Sequence, residues 1–342
     1  MVKMTRQLIP HSRPCLGAGE ERAAVRALRG GMIGGGGELA RFERAMERFL
    51  GGGRATAVQT GSAALHLALL SLGVRPGDRV VLPSYCCAAV LNAVRSCGAE
   101  PLLADADPLT ANHDPLDVQR RLRARTRAVV VPHLFGRPAP VREIRRLGVP
   151  VVEDCAMSLG GEGGLLGDVS VFSFYATKMM ATGQGGMVVT RDRGRASLVR
   201  DLVEYDNRDD YRVRYNYRMS GLVAAVGREQ LRRVPEFVKR RRRIAEYYYG
   251  TLGLGALPAG HVFYRFAVRV RDVGRFVRFM AARGVECKRP VYRPLHRYFA
   301  RAPGEFPGAE ELDRSVVSAP IYPALRPGEV ERVGRALGDF FP

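Results

Sequence analysis

The chain has 342 residues, 46% of them hydrophobic, with 54 Lys+Arg against 34 Asp+Glu and a formal net charge of +20. This is enough apolar material for a sizeable core, no run of 18 uncharged apolar residues argues for a membrane span, and Met-Val-Lys-Met-Thr-Arg-Gln-Leu-Ile-Pro at the N-terminus lacks the apolar centre of a signal peptide. Six cysteines without a Cys-x-x-Cys pair point to a reduced, cytoplasmic chain, and arginines spread along the whole sequence argue against a nucleic-acid-binding stripe.

Residues 18–30 read as a short helix closed by Gly30, and a glycine-rich loop occupies 31–37. Leu39, Phe42, Met46 and Leu50 recur at helical spacing and predict a second helix over 38–50. A short strand at 55–58 runs into a helix at 59–70, opened by Thr60-Gly61-Ser62. Apolar strands at 79–83, 100–104, 128–132, 150–154, 169–173 and 186–190 then alternate with helices at 86–96, 115–124 and near 140–147. Such strands predict an α/β fold with a mostly parallel sheet covered by helices on both faces, whose ligands sit at the carboxyl ends of the strands. A long helix over 234–252 leads to a strand at 262–270, a helix at 272–283 and a last helix at 327–340. The expected division is a large α/β domain over 1–252 and a smaller C-terminal α+β domain over 253–342.

Only four lysines occur: Lys3, Lys178, Lys239 and Lys288. Arginine replaces lysine in most ion pairs but not as an amine nucleophile, because guanidinium does not deprotonate. Lys178 follows a strand ending in Ser173 and precedes Met-Met-Ala-Thr-Gly-Gln-Gly-Gly, a setting unlike a solvated face. Two further features converge on it. Thr60-Gly-Ser-Ala-Ala64 opens a helix after a strand, where backbone N–H groups point at an anion, although a plain helix cap looks the same. Asp154 ends a buried strand, where an ionised carboxylate needs a cationic or hydrogen-bonding partner unless it caps the next turn. An anion cradle, a buried Asp and a buried Lys are the set that pyridoxal 5'-phosphate requires for its phosphate, its pyridine nitrogen and its aldehyde.

From Glu20 to about Leu337 the sequence resembles the DegT/DnrJ/EryC1/StrS family of pyridoxal-phosphate-dependent sugar aminotransferases, of fold type I. The resemblance rests on Gly61-Ser-Ala-Ala-Leu-His-Leu-Ala-Leu, the run Gly98 to Asp107, Val152-Glu-Asp-Cys-Ala156, Phe172-Ser-Phe-Tyr-Ala-Thr-Lys178, Gly183-Gln-Gly-Gly186, Tyr215-Asn-Tyr-Arg-Met219 and Arg289-Pro-Val-Tyr-Arg-Pro-Leu-His296. It implies that Lys178 carries the Schiff base and that Asp154 binds the pyridine nitrogen. Gly61, Ser62 and Ala63 form the phosphate site, where the Ser62 and Ala63 N–H groups and the Ser173 hydroxyl bind, and Tyr85 stacks on the cofactor. Asn216 reaches the phosphate of a neighbouring subunit, so a homodimer is implied. Arg289 and His296 border the sugar-nucleotide side of the cleft, although His296 also reads as a structural histidine, Tyr85 as ordinary core and His66 as packing. The expected reaction transfers an amino group, with glutamate as the expected donor, to a keto group of a nucleotide-linked sugar.

Three departures stand out. Met157 occupies the position near the cofactor's 3'-oxygen where the family has Gln or His, Gln184 replaces a Glu, and the segment 205–214 is trimmed. The first two leave room for an alternative, a divergent member that binds cofactor or sugar nucleotide in a regulatory role. A lysine rather than a histidine at 178 argues against the family's sugar dehydratases.

Overall fold

The computed structural model describes residues 8–31, 33–299 and 302–341; Lys3 and Met32 lie outside them. Seven strands form the main sheet: β1 (Arg54–Val58), β2 (Arg79–Pro83), β3 (Glu100–Ala104), β4 (Thr126–Pro132), β5 (Val151–Asp154), β6 (Val169–Ser173) and β7 (Gly186–Thr190). Their order is β1-β7-β6-β5-β4-β2-β3. Pairings among β2 to β6 are parallel, whereas β7 runs antiparallel to both β6 and β1. The sheet is thus mostly parallel, as its apolar strands predict, with an antiparallel insertion beside the lysine segment.

Helices cover both faces. Before the sheet lie α1 (Ala18–Arg29) and α2 (Gly37–Leu50), between its strands the chain forms α3 (Gly61–Ser71), α4 (Ala88–Ser96), α5 (Pro115–Arg121) and α6 (Val141–Arg145), and after β7 comes α7 (Arg193–Leu202). Helix α3 buries Ala63 through Leu69 on all sides, as a helix without a polar face must. It packs with α4 and α7 on one face of the sheet, against Val80, Val130, Val152 and Val171. On the other face α2 inserts Leu39, Phe42 and Met46 against Ala57, Phe172 and Met187. Phe42 is fully buried there, a burial worth roughly 2–3 kcal/mol.

Helix α8 (Gly221–Thr251) spans 31 residues, well beyond the predicted 234–252. Pro235 lies inside it on the exposed side. The ring of Pro235 points to the surface and the helix continues through it, at the loss of one internal hydrogen bond, the one to the carbonyl of Leu231. The true start is capped by the Ser220 hydroxyl, which accepts from the Val223 N–H at 3.3 Å.

Beyond α8 come β8 (Phe266–Arg269), α9 (Val273–Ala282), α10 (Pro307–Ser315), β9 (Val316–Ala319) and α11 (Pro327–Phe340). Strands β8 and β9 form a second, antiparallel sheet whose core joins α9, α11 and the end of α8. Ile9, near the start of the chain, bridges to Val285 and is buried in this same core. The predicted strand 262–270 is regular only from 266, because Phe263 adopts φ 53° and turns the chain. Residues 262–265 instead pair with the turn at 134–136, through Val262 N–H to Gly136 O at 3.0 Å and Arg265 N–H to Phe135 O at 3.2 Å. Among the described residues no helix is long and apolar enough to cross a membrane.

Candidate active site

Lys178 sits on the connection between β6 and β7, whose ends Ser173 and Gly186 are partners in the sheet. That connection is closed by backbone bonds from Phe174 N–H to Gly185 O at 2.9 Å, Thr182 N–H to Phe174 O at 2.9 Å and Ala176 N–H to Gly183 O at 3.2 Å. The amine is half-buried and lies 5.3 Å from the centroid of the Tyr264 ring. Lys239 and Lys288 are exposed, and Lys288 pairs with Glu286 at 2.8 Å. The lysine singled out by composition is therefore also the one drawn into the fold.

Asp154 ends β5, the strand beside β6, and is 7% exposed. Burial pushes its carboxyl above the usual range, while the Ala156 amide and the Lys178 cation pull the other way. Oδ1 accepts the Ala156 N–H at 3.0 Å.

The neighbouring Glu153 points to the opposite side of the sheet and is fully buried. It accepts from His133 Nε2 at 3.0 Å, the N–H groups of Gly164, Leu166 and Gly167 at 2.8, 2.8 and 3.0 Å, and Ser170 Oγ at 3.0 Å. His133 Nδ1 accepts the Ala139 N–H at 2.8 Å, so the ring carries its proton on Nε2 and donates it to Glu153. Burial raises the Glu153 carboxyl, but these hydrogen bonds more than offset it and hold the group at about 2. The glycine run before β6 makes this possible: Gly163 has φ 141°, and a Cβ there would lie 2.7 Å from Glu153 Oε1.

The third element is the N-terminus of α3, brought to Ser173 because β1 pairs with β7 and β7 with β6. A Cβ on Gly61 would lie 2.8 Å from Ser173 Cβ and 2.9 Å from its Oγ. The first amides of a helix have no carbonyl to reach within it, so the Gly61 and Ser62 N–H groups stand at the helix end that Gly61 brings against Ser173. Ala63 differs from the sequence-based expectation: the Thr60 hydroxyl accepts its N–H at 3.0 Å. If this end of α3 is the phosphate site that the resemblance implies, Gly61→Ala is expected to force Ser173 away and raise the dissociation constant of pyridoxal phosphate about 10- to 100-fold, the loss of one charge-assisted hydrogen bond. Unchanged affinity would remove this spot as the anion site.

Two expected site residues are enclosed in the core instead. Tyr85 is 1% exposed and meets Phe135 edge-on with ring centroids 6.4 Å apart, so neither face of its ring is open for stacking. His296 is fully buried: Nδ1 meets Ser84 Oγ at 2.5 Å, Nε2 meets Glu310 Oε1 at 2.7 Å, and the ring stacks on Phe306. With both nitrogens engaged it ties the end of β2 to α10 and has nothing left for a substrate. Arg289 is exposed and lies 3.7 Å from Asp313. Asn216 is exposed beside the stacked rings of Tyr215 and Tyr217, which flank the buried His66 edge-on, and its carbonyl accepts from Gln59 Nε2. Met157 is half-buried and packs against the cores of both sheet faces. Gln184 is exposed on the lysine loop, where its carbonyl accepts from Thr182 Oγ1 at 2.6 Å.

Sequence reasoning missed Tyr264, Arg265 and His11. Tyr264 is buried beside Lys178; burial raises its phenol, but Lys178, Arg265 and a hydrogen bond with Thr177 more than offset this and leave it below the usual range. Its run, Val-Phe-Tyr-Arg-Phe-Ala-Val, carries no signal besides a strand's.

Residues 14–338 match the DegT/DnrJ/EryC1/StrS aminotransferase family. The chain belongs to that family. Among DegT/DnrJ/EryC1/StrS relatives, it is 34% identical to the GDP-perosamine synthase of Caulobacter vibrioides, over 87% of this chain and 89% of that one. It is 35% identical to the dTDP-4-dehydro-2,3,6-trideoxy-D-glucose 4-aminotransferase of Saccharopolyspora spinosa, over 94% of each. The crystal structure of S. venezuelae DesV in complex with a ketimine intermediate is 31% identical, covers 94% of each chain and superposes with a TM-score of 0.89. The seven-stranded sheet is accordingly that of a fold type I aminotransferase, and the chain is an enzyme of the family's amino-transferring kind.

Proposed function

We propose that this protein is a pyridoxal-phosphate-dependent aminotransferase that moves an amino group, with glutamate as donor, to a keto group of a nucleotide-linked sugar. The observation that carries this reading is the meeting of Lys178, Asp154 and the Gly61–Ser173 cradle on the adjacent strands β1, β7, β6 and β5. The residues fit the cofactor. The cradle is too tight for a Cβ yet lined with donors, and Asp154 offers a buried carboxylate. Pyridoxal phosphate, when bound, supplies an aldehyde that condenses with amines and a cationic ring that draws electrons from the bonds of the attached carbon. Asp154 Oδ2 would accept the ring N–H and keep that nitrogen protonated. Lys178 Nζ would take the proton from the donor's α-carbon and return it one position along, as a general base and then an acid. The Gly61 and Ser62 amides and the Ser173 hydroxyl would hold the phosphate, with Asn216 reaching that of a partner subunit in a homodimer.

The names of the Caulobacter and Saccharopolyspora relatives support a nucleotide-linked sugar as the second substrate, and the DesV complex supports the cofactor chemistry. Reduced cysteines support a cytoplasmic setting, and a second core around β8, β9, α9 and α11 supports a smaller C-terminal domain, although Ile9 joins that core and α10 packs into the first. The test is spectroscopic. Reconstituted protein should absorb in the visible, and glutamate should bleach the band. Asp154→Asn should lower turnover about 10²–10³-fold, as removal of one preorganised electrostatic partner does. Failure to take up the cofactor would sink the reading.

A further inference from the structure

Three arginines line the small pocket that contains Lys178: Arg13, Arg241 and Arg265. Arg13 is paired with Glu329 at 2.7 Å. Arg241 is buried, and its guanidinium donates to the carbonyls of Phe263, Tyr264 and Ile321. Arg265 has neither kind of partner. Its guanidinium stacks 4.6 Å from the Tyr264 ring centroid and donates to the Tyr264 hydroxyl at 3.2 Å and to His11 Nδ1 at 3.0 Å. Among the described residues no carboxylate pairs with it.

The support beneath this cation is neutral by design of its hydrogen bonds. Ser318 Oγ donates to the Lys288 carbonyl at 3.1 Å and lies 2.6 Å from His11 Nε2, so Nε2–H donates to the serine. The lone pair of Nδ1 is thereby left for Arg265. Burial and Arg265 itself push the His11 imidazole down to about 3, so the ring stays uncharged. The nearby Glu286 is occupied by the backbone N–H of His11 at 2.8 Å and by Lys288. A guanidinium with free N–H donors is thus fixed against the same aromatic ring as the Lys178 amine.

We propose that Arg265 receives the α-carboxylate of the amino donor, an inference that rests on the aminotransferase reading above. A donor's carboxylate is bonded to the very carbon whose amine must meet the Lys178 position, so its receptor has to stand close to that lysine. The diphosphate of a nucleotide-linked sugar is separated from the keto carbon by the sugar ring and the glycosidic oxygen, so its receptor stands further away. The planar fork of arginine matches a carboxylate bidentately, and the lack of an internal counter-ion leaves that geometry open.

The experiment uses cofactor-loaded protein and two probes: L-glutamate in steady-state turnover, and glutarate, a dicarboxylate with no amine, in calorimetric binding. Arg265→Gln keeps a donor for His11 and is checked by thermal unfolding; Arg265→Lys keeps the charge and loses the fork. The expected result is a rise of about 10- to 100-fold in both the glutamate KM and the glutarate Kd for Arg265→Gln, with a smaller rise for Arg265→Lys. The KM for the sugar ketone should change less than about threefold. Unchanged glutamate and glutarate parameters in a competent enzyme overturn the inference alone, as does an equal loss toward both substrates. A wild-type protein that takes up no cofactor, or transaminates with no donor, overturns the functional reading and this inference with it.

Discussion

Lys178→Ala is expected to lower transamination by at least about 10⁴-fold and to abolish the visible absorbance of cofactor-loaded protein. Lys178→Arg should do the same, because guanidinium keeps its proton and cannot condense with an aldehyde. Both variants should stay folded: the side chain is half-buried on a loop whose backbone hydrogen bonds do not depend on it. A loss beyond about 1 kcal/mol in unfolding would mean that the lysine is structural. Turnover within tenfold of wild type, measured by release of 2-oxoglutarate, would end the assignment of Lys178 as the reacting amine.

The largest effect on stability is expected from Glu153→Ala. Five donors converge on that carboxylate, and removing it leaves them unpaired in a site closed to water. The cost should reach about 3–5 kcal/mol, read by chemical denaturation. Because the folded-state carboxyl titrates at about 2, against 4.5 as its ordinary value, its contribution is complete above pH 4.5 and disappears as pH falls toward 2. This group alone should remove about 3 kcal/mol of stability across that window, with the unfolded chain binding the proton first. The alanine variant should lack that part of the acid slope. An identical slope in both proteins would show that Glu153 is not the group responsible. Activity should suffer too, since Glu153 fixes the end of β5, which bears Asp154, and the loop leading into β6.

The parts legible in the sequence are those set by local pattern. Asp154 and Ser173 close short apolar runs, and such runs become inner strands whose ends face ligands. Thr60-Gly-Ser shows its cap through residue type alone. The missed parts depend on partners far along the chain. Nothing in Tyr85 or His296 announces Phe135, Ser84 or Glu310, so two residues read at the cleft are found in the core. The helix predicted over 234–252 begins at Gly221 instead, and Pro235 does not end it because it lies at an exposed position, a tertiary property. Tyr264 and Arg265 were hidden for a different reason. Their run alternates like a strand, and only the left-handed backbone at Phe263 turns them toward Lys178.

The connection from β6 to β7 forms one of two separately built walls of the cleft. Ser173, Lys178 and the glycines that close the loop lie on one contiguous stretch of chain, the end of β6 and its connection to β7, with Asp154 one strand away. The wall facing them is assembled from His11, Tyr264, Arg265 and Ser318, residues from opposite ends of the chain that the β6–β7 segment does not need in order to fold. Mutations can accumulate in that wall while the reacting groups stay in register. A substitution in that wall can therefore alter what the cleft admits without disturbing the strand register that carries Lys178 and Asp154.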